Sequence, residues 1–188
     1  IQTIGQKIAI ATNQPNYKWE FNLVDDNQAN AFCLPGGKVV VYTGILKYAK
    51  NDDQLATVIS HEVAHALARH GAERVTQGMI QQGVGLIGSV AVAATAPQYQ
   101  NAFNQAYGLG SNLGVMLPYG RMQESEADEI GIYLMHKAGY NVNEATKFWE
   151  NMSEGKSGGN DFFSTHPSSQ NRTKDIQTVI NKIGNEPK

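Results

Sequence analysis

Residues 61–65 read His-Glu-Val-Ala-His, with the composition and spacing of a metal-binding helix. Residues four apart lie on the same face of an α-helix, so the imidazoles of His61 and His65 would point to one place. Two imidazoles one turn apart provide two zinc ligands without distorting the backbone. Glu62 lies about 100° round the helix from His61, where its carboxylate can accept a proton from a metal-bound water. The segment therefore predicts a metal site that activates water.

A catalytic zinc ion usually takes three protein ligands and keeps a fourth position for water. We predict that Glu124 is the third ligand. Asp128 lies four residues further on, hence on the same helical face, and is predicted to accept a hydrogen bond from a ligating histidine. Glu126 is the alternative third ligand, although it would face away from Asp128. The competing interpretation is an ordinary acidic surface, since Glu126 and Glu129 are close in sequence.

The helix that carries the two histidines is predicted to be buried. Val58, Ile59 and Val63 recur at helical spacing between residues 54 and 69, and the acceptor side chains of residues 51–53 suit a helix start. The same pentapeptide on a solvated helix would have no functional meaning. On a buried helix, polar side chains are costly unless something satisfies them, which favours a bound metal ion.

The remaining patterns predict an α+β fold, mainly helical, with a small β-sheet near the N-terminus and a single domain over residues 1–188. Aromatic and β-branched content indicates a strand over residues 17–24, and the extended runs 30–34 and 38–43 flank a Pro-Gly-Gly turn typical of a hairpin. Helices are expected over residues 1–11, 118–137 and 143–152, and after Pro167 with Ile176, Val179, Ile180 and Ile183 on one face.

Residues 79–96 are weakly polar and rich in small side chains. Because a membrane-spanning helix needs about 20 mostly apolar residues, we predict no transmembrane helix here. We expect instead a helix that packs on protein or lies near a membrane surface. The Gly-rich segment 78–116 is also predicted to form a lid over the site.

Composition excludes several classes of protein. A chain of 188 residues with 41% hydrophobic and 17% charged residues is typical of a folded domain. A net charge of -2 without a basic run gives no basis for binding nucleic acid. Cys33 is the one cysteine and is predicted to be a small buried residue, and His70 and His136 are predicted to be peripheral. The chain begins at Ile1 without a recognisable signal peptide, so we expect a processed or trimmed N-terminus.

HEVAH, followed about sixty residues later by ESEAD, with GGKVVVYTGIL before it and STHPSSQNR after it, resembles the HtpX and CAAX-prenyl-protease-like zinc metallopeptidases. The similarity is to the bacterial periplasmic branch that contains BepA and LoiP, and it covers roughly residues 29–180. It implies a gluzincin fold, in which the active-site helix lies beside a small sheet whose edge strand binds extended peptide. Residues 30–34 are the predicted edge. It also implies a periplasmic or outer-membrane-associated location.

The resemblance implies a role for each motif residue. His61 and His65 correspond to the two zinc-binding histidines, and Glu62 to the catalytic glutamate. Glu124 and Asp128 correspond to the first and last residues of the ExxxD element. The spacing argument reaches the same assignment without the resemblance.

His166 has two interpretations. In the resembling proteins, the histidine of this late motif can occupy the fourth zinc position and hold the enzyme latent. From the residues alone, His166 before Pro167 is equally a helix-start residue that makes a local hydrogen bond. Arg172 is predicted to pair with a carboxylate, and Tyr119 and Arg121 are candidates to stabilise an oxyanion.

These observations predict a zinc-dependent endopeptidase with one Zn²⁺ per chain, acting on unfolded or misassembled proteins in envelope quality control. Its partners would be protein or peptide substrates and a membrane surface. The first alternative is a latent zinc-site chaperone or assembly factor with little proteolysis. The second is a structural zinc protein, which would need four permanent ligands.

Overall fold

The computed structural model describes residues 1–34, 36–95, 97–101, 104, 117–155, 162–167 and 170–184. Helices dominate these residues, and a three-stranded sheet follows the first helix, which confirms the predicted α+β class. The helices are α1 (Gln2–Thr12), α2 (Asp52–Leu67), α3 (His70–Thr95), α4 (Leu117–Lys137), α5 (Glu144–Glu154), α6 (Phe162–Thr165) and α7 (Arg172–Gly184), and the strands are β1 (Glu20–Val24), β2 (Ala31–Leu34) and β3 (Lys38–Tyr42).

The sheet has the strand order β1–β3–β2, so β2 lies at an edge as predicted. β3 pairs parallel with β1 and antiparallel with β2, which confirms the hairpin. Gly36 and Gly37 in its turn have φ values of +92° and +98°, a region where a side chain would be strained. β1 begins at Glu20, later than predicted, and ahead of it Tyr17 and Trp19 stack on each other with ring centroids 4.8 Å apart.

α2 is held between the sheet and α4. Its first turn is capped by Asn51, whose side chain accepts a hydrogen bond from the Gln54 backbone N–H at 2.9 Å, an interaction worth about 1 kcal/mol. Gly131 of α4 lies directly against α2, since a Cβ there would be 3.3 Å from the backbone nitrogen of His61. This close approach brings the residues two turns earlier on α4, including Glu124, to the same face of α2.

The end of α4 and the buried face of α7 follow the predictions from sequence. α4 closes at Gly139, which has a φ of +83°, and the Tyr140 N–H donates to the Met135 carbonyl at 2.9 Å in a Schellman-type end. α7 directs its apolar face into the core. The buried residues of that face are Ile176, Val179, Ile180 and Ile183.

α3 departs most from prediction. It is a single helix of 26 residues, about 39 Å long. Of the two arrangements expected for this segment, the structure does not show packing on protein, because six of its large side chains are 54–73% exposed: Met79, Ile80, Val84, Leu86, Ile87 and Val90. Among the described residues, α3 is the one helix whose length and composition would allow it to cross a membrane, where we expected none. The predicted lid is helical up to residue 95, and its residues 102–103 and 105–116 lie outside the described part.

Candidate metal centre

Four side chains from separate parts of the sequence meet at one buried point. α2 carries His61 and His65, α4 carries Glu124, and His166 directly follows α6. All four side chains are buried, and one potential ligand atom from each lies within 4.8 Å of the others. The fold therefore brings the three predicted ligands and the candidate fourth ligand together.

The distances between these atoms suit a small cation. His61 Nε2 lies 3.1 Å from His65 Nε2 and 3.0 Å from Glu124 Oε2, and His65 Nε2 lies 3.3 Å from Glu124 Oε1. Two nitrogens bound to a tetrahedral zinc ion at about 2.0 to 2.1 Å are about 3.3 Å apart. The donor set of two imidazoles and a carboxylate thus fits zinc in both chemistry and spacing.

Glu62 is buried next to this cluster, and its Oε1 atom is a buried acceptor without a hydrogen-bond partner among the described residues. His166 Nε2 lies 3.5 Å from that oxygen. Burial raises the pKa of the Glu62 carboxyl above its usual range. A buried unpaired carboxylate oxygen is costly, so this atom indicates a site built to receive a polar group such as water.

His61 is oriented by an acidic partner behind it. Its Nδ1 lies 3.0 Å from Asp128 Oδ1, and Arg172 Nη2 donates to the same oxygen at 2.7 Å. Burial disfavours a charged His61, but hydrogen bonds with Asp128 and Glu124 outweigh it and raise the pKa to about 9. These negative surroundings favour a cation at Nε2. The predicted pairing of Arg172 with a carboxylate is confirmed, and its guanidinium also lies 3.4 Å from the centroid of the Trp149 ring.

Glu124 is held as a carboxylate. Burial opposes its ionisation, but hydrogen bonds with His166, His61 and His65 hold its pKa well below the usual range. Arg74 of α3, a residue that the sequence analysis did not single out, donates from Nη2 to Glu124 Oε1 at 2.9 Å.

His65 has a partner that we did not predict. Its Nδ1 lies 2.8 Å from His70 Nδ1, and His70 Nε2 lies 3.1 Å from Glu126 Oε2. His70 is 1% exposed, so the prediction that it is peripheral is wrong. Burial lowers the pKa of His65 to about 3, which keeps its imidazole neutral and available as a ligand. Glu126, the alternative third ligand, pairs with His70, and its side chain is 59% exposed.

The other candidate residues are distributed as follows. Arg121 is exposed on α4, and the side chain of Tyr119 lies outside the described part. The arginine that lines the cleft beside Glu62 and His65 is Arg74. His136 is exposed, as predicted. Cys33 is half-buried, and burial, with a smaller effect of the Glu62 charge, raises the pKa of its thiol to about 12. Cys33 is therefore less buried than predicted, and its neutral thiol is a poor nucleophile.

A cleft of about 250 Å³ leads to the cluster. Its walls come from β2, from α2 and from the start of α3, together with the segment that carries His166. The Ala31 carbonyl lies 3.3 Å from His166 Nε2, so the unpaired side of β2 faces the cluster. A chain lying along β2 would therefore pass next to Glu62 and His65.

A buried helix with two histidines and a glutamate, joined by a glutamate from a second helix, is the arrangement of a metal-dependent peptidase. The family model described as Peptidase family M48 matches residues 1–180. The chain belongs to this family, and the buried His and Glu site agrees with a bound metal ion.

The chain is similar to curated metallopeptidases from mitochondria and bacteria. It is 38% identical over 180 residues to mitochondrial metalloendopeptidase OMA1 of Schizosaccharomyces pombe, covering 94% of this chain and 51% of the relative. It is 39% identical over 169 residues to OMA1 of Arabidopsis thaliana, covering 88% and 32%. It is 28% identical over 189 residues to the beta-barrel assembly-enhancing protease of Escherichia coli K12, covering 97% and 39%. The chain thus spans about half or less of the length of these relatives.

Proposed function

We propose that this chain is a zinc-dependent endopeptidase that hydrolyses internal peptide bonds in unfolded or misassembled proteins. The observation that carries the proposal is the buried cluster of His61, His65 and Glu124. Beside it lies Glu62 Oε1, which has no hydrogen-bond partner among the described residues. The three cluster residues would hold one zinc ion per chain. When bound, zinc supplies a Lewis acid that polarises the scissile carbonyl and acidifies water.

The proton transfers fall to Glu62. Its buried, unpaired Oε1 is placed to accept a proton from the attacking water, and its raised pKa suits a group that must then hold that proton. The same carboxyl delivers the proton to the leaving amine. Asp128 and Arg172 act on the opposite side of the cluster, where they fix the ring of His61.

Peptide binding is proposed along β2. Its free edge faces the cleft, so an extended substrate would add a strand through main-chain hydrogen bonds. Such recognition depends little on side chains and requires an extended chain. Unfolded proteins meet that requirement, whereas folded domains do not.

A latent state is proposed through His166. Its imidazole lies beside Glu124 and Glu62, and its ring stacks on Phe162 with centroids 4.1 Å apart. The side chain is therefore placed to occupy a fourth ligand position until substrate enters. This contact also favours the second candidate function, a chaperone or assembly factor whose zinc site stays closed.

The cellular setting is proposed from the relatives and from α3. The 28% identity to the beta-barrel assembly-enhancing protease supports the envelope of a bacterium, and the 38% identity to OMA1 supports a mitochondrion as the alternative. In either setting, the exposed apolar side chains of α3 support contact with a membrane. Fractionation of cells that produce the native protein, with detection of the chain in each fraction, would decide between the bacterial envelope and the mitochondrion.

The proposed function is tested by Glu62→Gln. We expect casein cleavage to fall about 10²- to 10⁴-fold, because general acid–base catalysis is lost, while zinc content measured by mass spectrometry stays at one ion per chain. Glu129→Gln, an exposed change on α4, is the matched control and should cleave at the wild-type rate. Unimpaired cleavage by Glu62→Gln would rule out this mechanism. Assisted client refolding without any cleavage by wild type would favour the chaperone.

A further inference from the structure

The nitrogen of His65 that faces away from the cluster contacts a second histidine. His65 Nδ1 and His70 Nδ1 are 2.8 Å apart, and both side chains are buried. On its far side, His70 Nε2 is 3.1 Å from Glu126 Oε2. Three side chains thus form a line from the cluster to the protein surface, where Glu126 is 59% exposed.

The chemistry of the exposed end determines where each hydrogen lies along this line. A carboxylate only accepts, so His70 Nε2 carries a hydrogen and donates it to Glu126. His70 Nδ1 then has a lone pair, and it accepts a hydrogen from His65 Nδ1. His65 Nε2 consequently keeps its lone pair, and this is the nitrogen that faces His61 and Glu124.

We propose that His70 and Glu126 are positioning residues that fix the tautomer and ring orientation of His65 for metal binding. This inference rests on the proposed zinc site. It assigns His65 a support of its own, just as Asp128 and Arg172 support His61. The two supports differ, because Asp128 and Arg172 are buried while Glu126 reaches solvent. The exposed carboxylate therefore allows the affinity of a buried site to be changed from the surface.

The turn between α2 and α3 creates this arrangement. Arg69 adopts a left-handed conformation with a φ of +58°, and α3 begins at the next residue, so that the His70 ring lies against His65 near the end of α2. The Arg69 N–H also donates to the Ala66 carbonyl at 3.2 Å. The short distance in sequence between His65 and His70 is thus converted into a direct ring-to-ring contact.

The test measures zinc affinity of the full chain by competition with a chromogenic chelator. His70→Phe keeps the ring but removes both nitrogens, and we expect the Kd for zinc to rise about 10- to 100-fold. His70→Asn places an amide oxygen near the position of Nδ1 and should recover much of the loss. Glu126→Ala should raise the Kd by up to about tenfold, whereas Glu129→Ala, an exposed change on the same helix, should leave it unchanged.

Glu126 keeps the proposal testable if the buried variants fold poorly, because its side chain is exposed. Combining His70→Phe with Glu126→Ala should weaken binding no more than His70→Phe alone, since both act through one line of contacts. Wild-type affinity in His70→Phe, or equal affinities in Glu126→Ala and Glu129→Ala, would overturn the proposal. That result differs from failure of the proposed function, in which the wild-type chain itself would bind no zinc.

Discussion

Helices α2 and α3 follow each other in the chain, yet they reverse the usual relation between polarity and burial. α2 buries His61 and Glu62, each 1% exposed, along with His65 at 8%. α3 exposes large apolar side chains, with Met79 at 68% and Ile87 at 73%. Each helix therefore carries a cost that its own sequence does not remove.

The comparison shows that a mismatch between polarity and environment predicts the missing partner. Buried polar groups require a compensating charge or hydrogen bond, and on α2 the cluster geometry suits a cation. Exposed apolar surface requires an apolar partner, and on α3 the surrounding sequence has no charged residue from position 75 to position 120. A cation is the partner proposed for α2, and a lipid surface is the partner proposed for α3.

The largest effect is expected from removing the acidic ligand. Glu124→Ala should abolish zinc binding and lower casein cleavage by about 10³-fold or more, because the cluster loses its carboxylate ligand and two buried imidazoles alone supply no negative charge to the cation. Zinc content by mass spectrometry and cleavage assays on the same preparation test this. Retention of one zinc ion per chain would show that another residue is the third ligand. The cluster of His61, His65 and Glu124 would then no longer explain why α2 buries polar side chains.

The sequence predicted α2 and the burial of its histidines because local signals coincide there. Val58, Ile59 and Val63 mark the buried face by their spacing, and Asn51 marks the start, so both histidines fall on one side of a helix. Glu124 and Asp128 are four residues apart, and this spacing predicts that Glu124 is a ligand and that Asp128 accepts a hydrogen bond from a ligating histidine. The structure places Asp128 on His61, at 3.0 Å.

The missed features depend on tertiary structure. His70 lies beyond the left-handed residue Arg69, and nothing in the residue pattern indicates that its ring contacts His65. Arg74 reaches Glu124 from that same helix. For α3, the small residues left two arrangements open, packing on protein or a position near a membrane surface. In the structure, its polar side contacts the segment after it, where Gln100 Nε2 donates to Ser89 Oγ at 3.4 Å, and its large apolar side chains remain exposed.

The exposed face of α3 gives a smaller effect. Ile87→Lys should weaken binding of the chain to phosphatidylcholine vesicles about 10- to 30-fold in a flotation assay, because burying one Ile contributes roughly 2 kcal/mol. Gln82→Lys adds the same charge on the side of α3 away from Ile87, where the helix also carries Gln81 and Ser89, and should bind nearly as wild type. Equal loss in both variants would show that the added charge, and not the lost apolar side chain, weakens binding. If the wild-type chain did not bind vesicles, a lipid surface would not be the partner of α3.

The smallest effect is expected where the two helices meet the late segment of the chain. If His166 occupies a fourth ligand position in most molecules, His166→Ala should raise casein cleavage about fivefold, since activity is scaled by the open fraction. Zinc content should stay at one ion per chain, because His61, His65 and Glu124 remain. His136→Ala, an exposed histidine on α4, controls for loss of an imidazole. A fall in both zinc content and cleavage would show instead that His166 is a permanent ligand. The metal site on α2 would then be a structural site with four protein ligands.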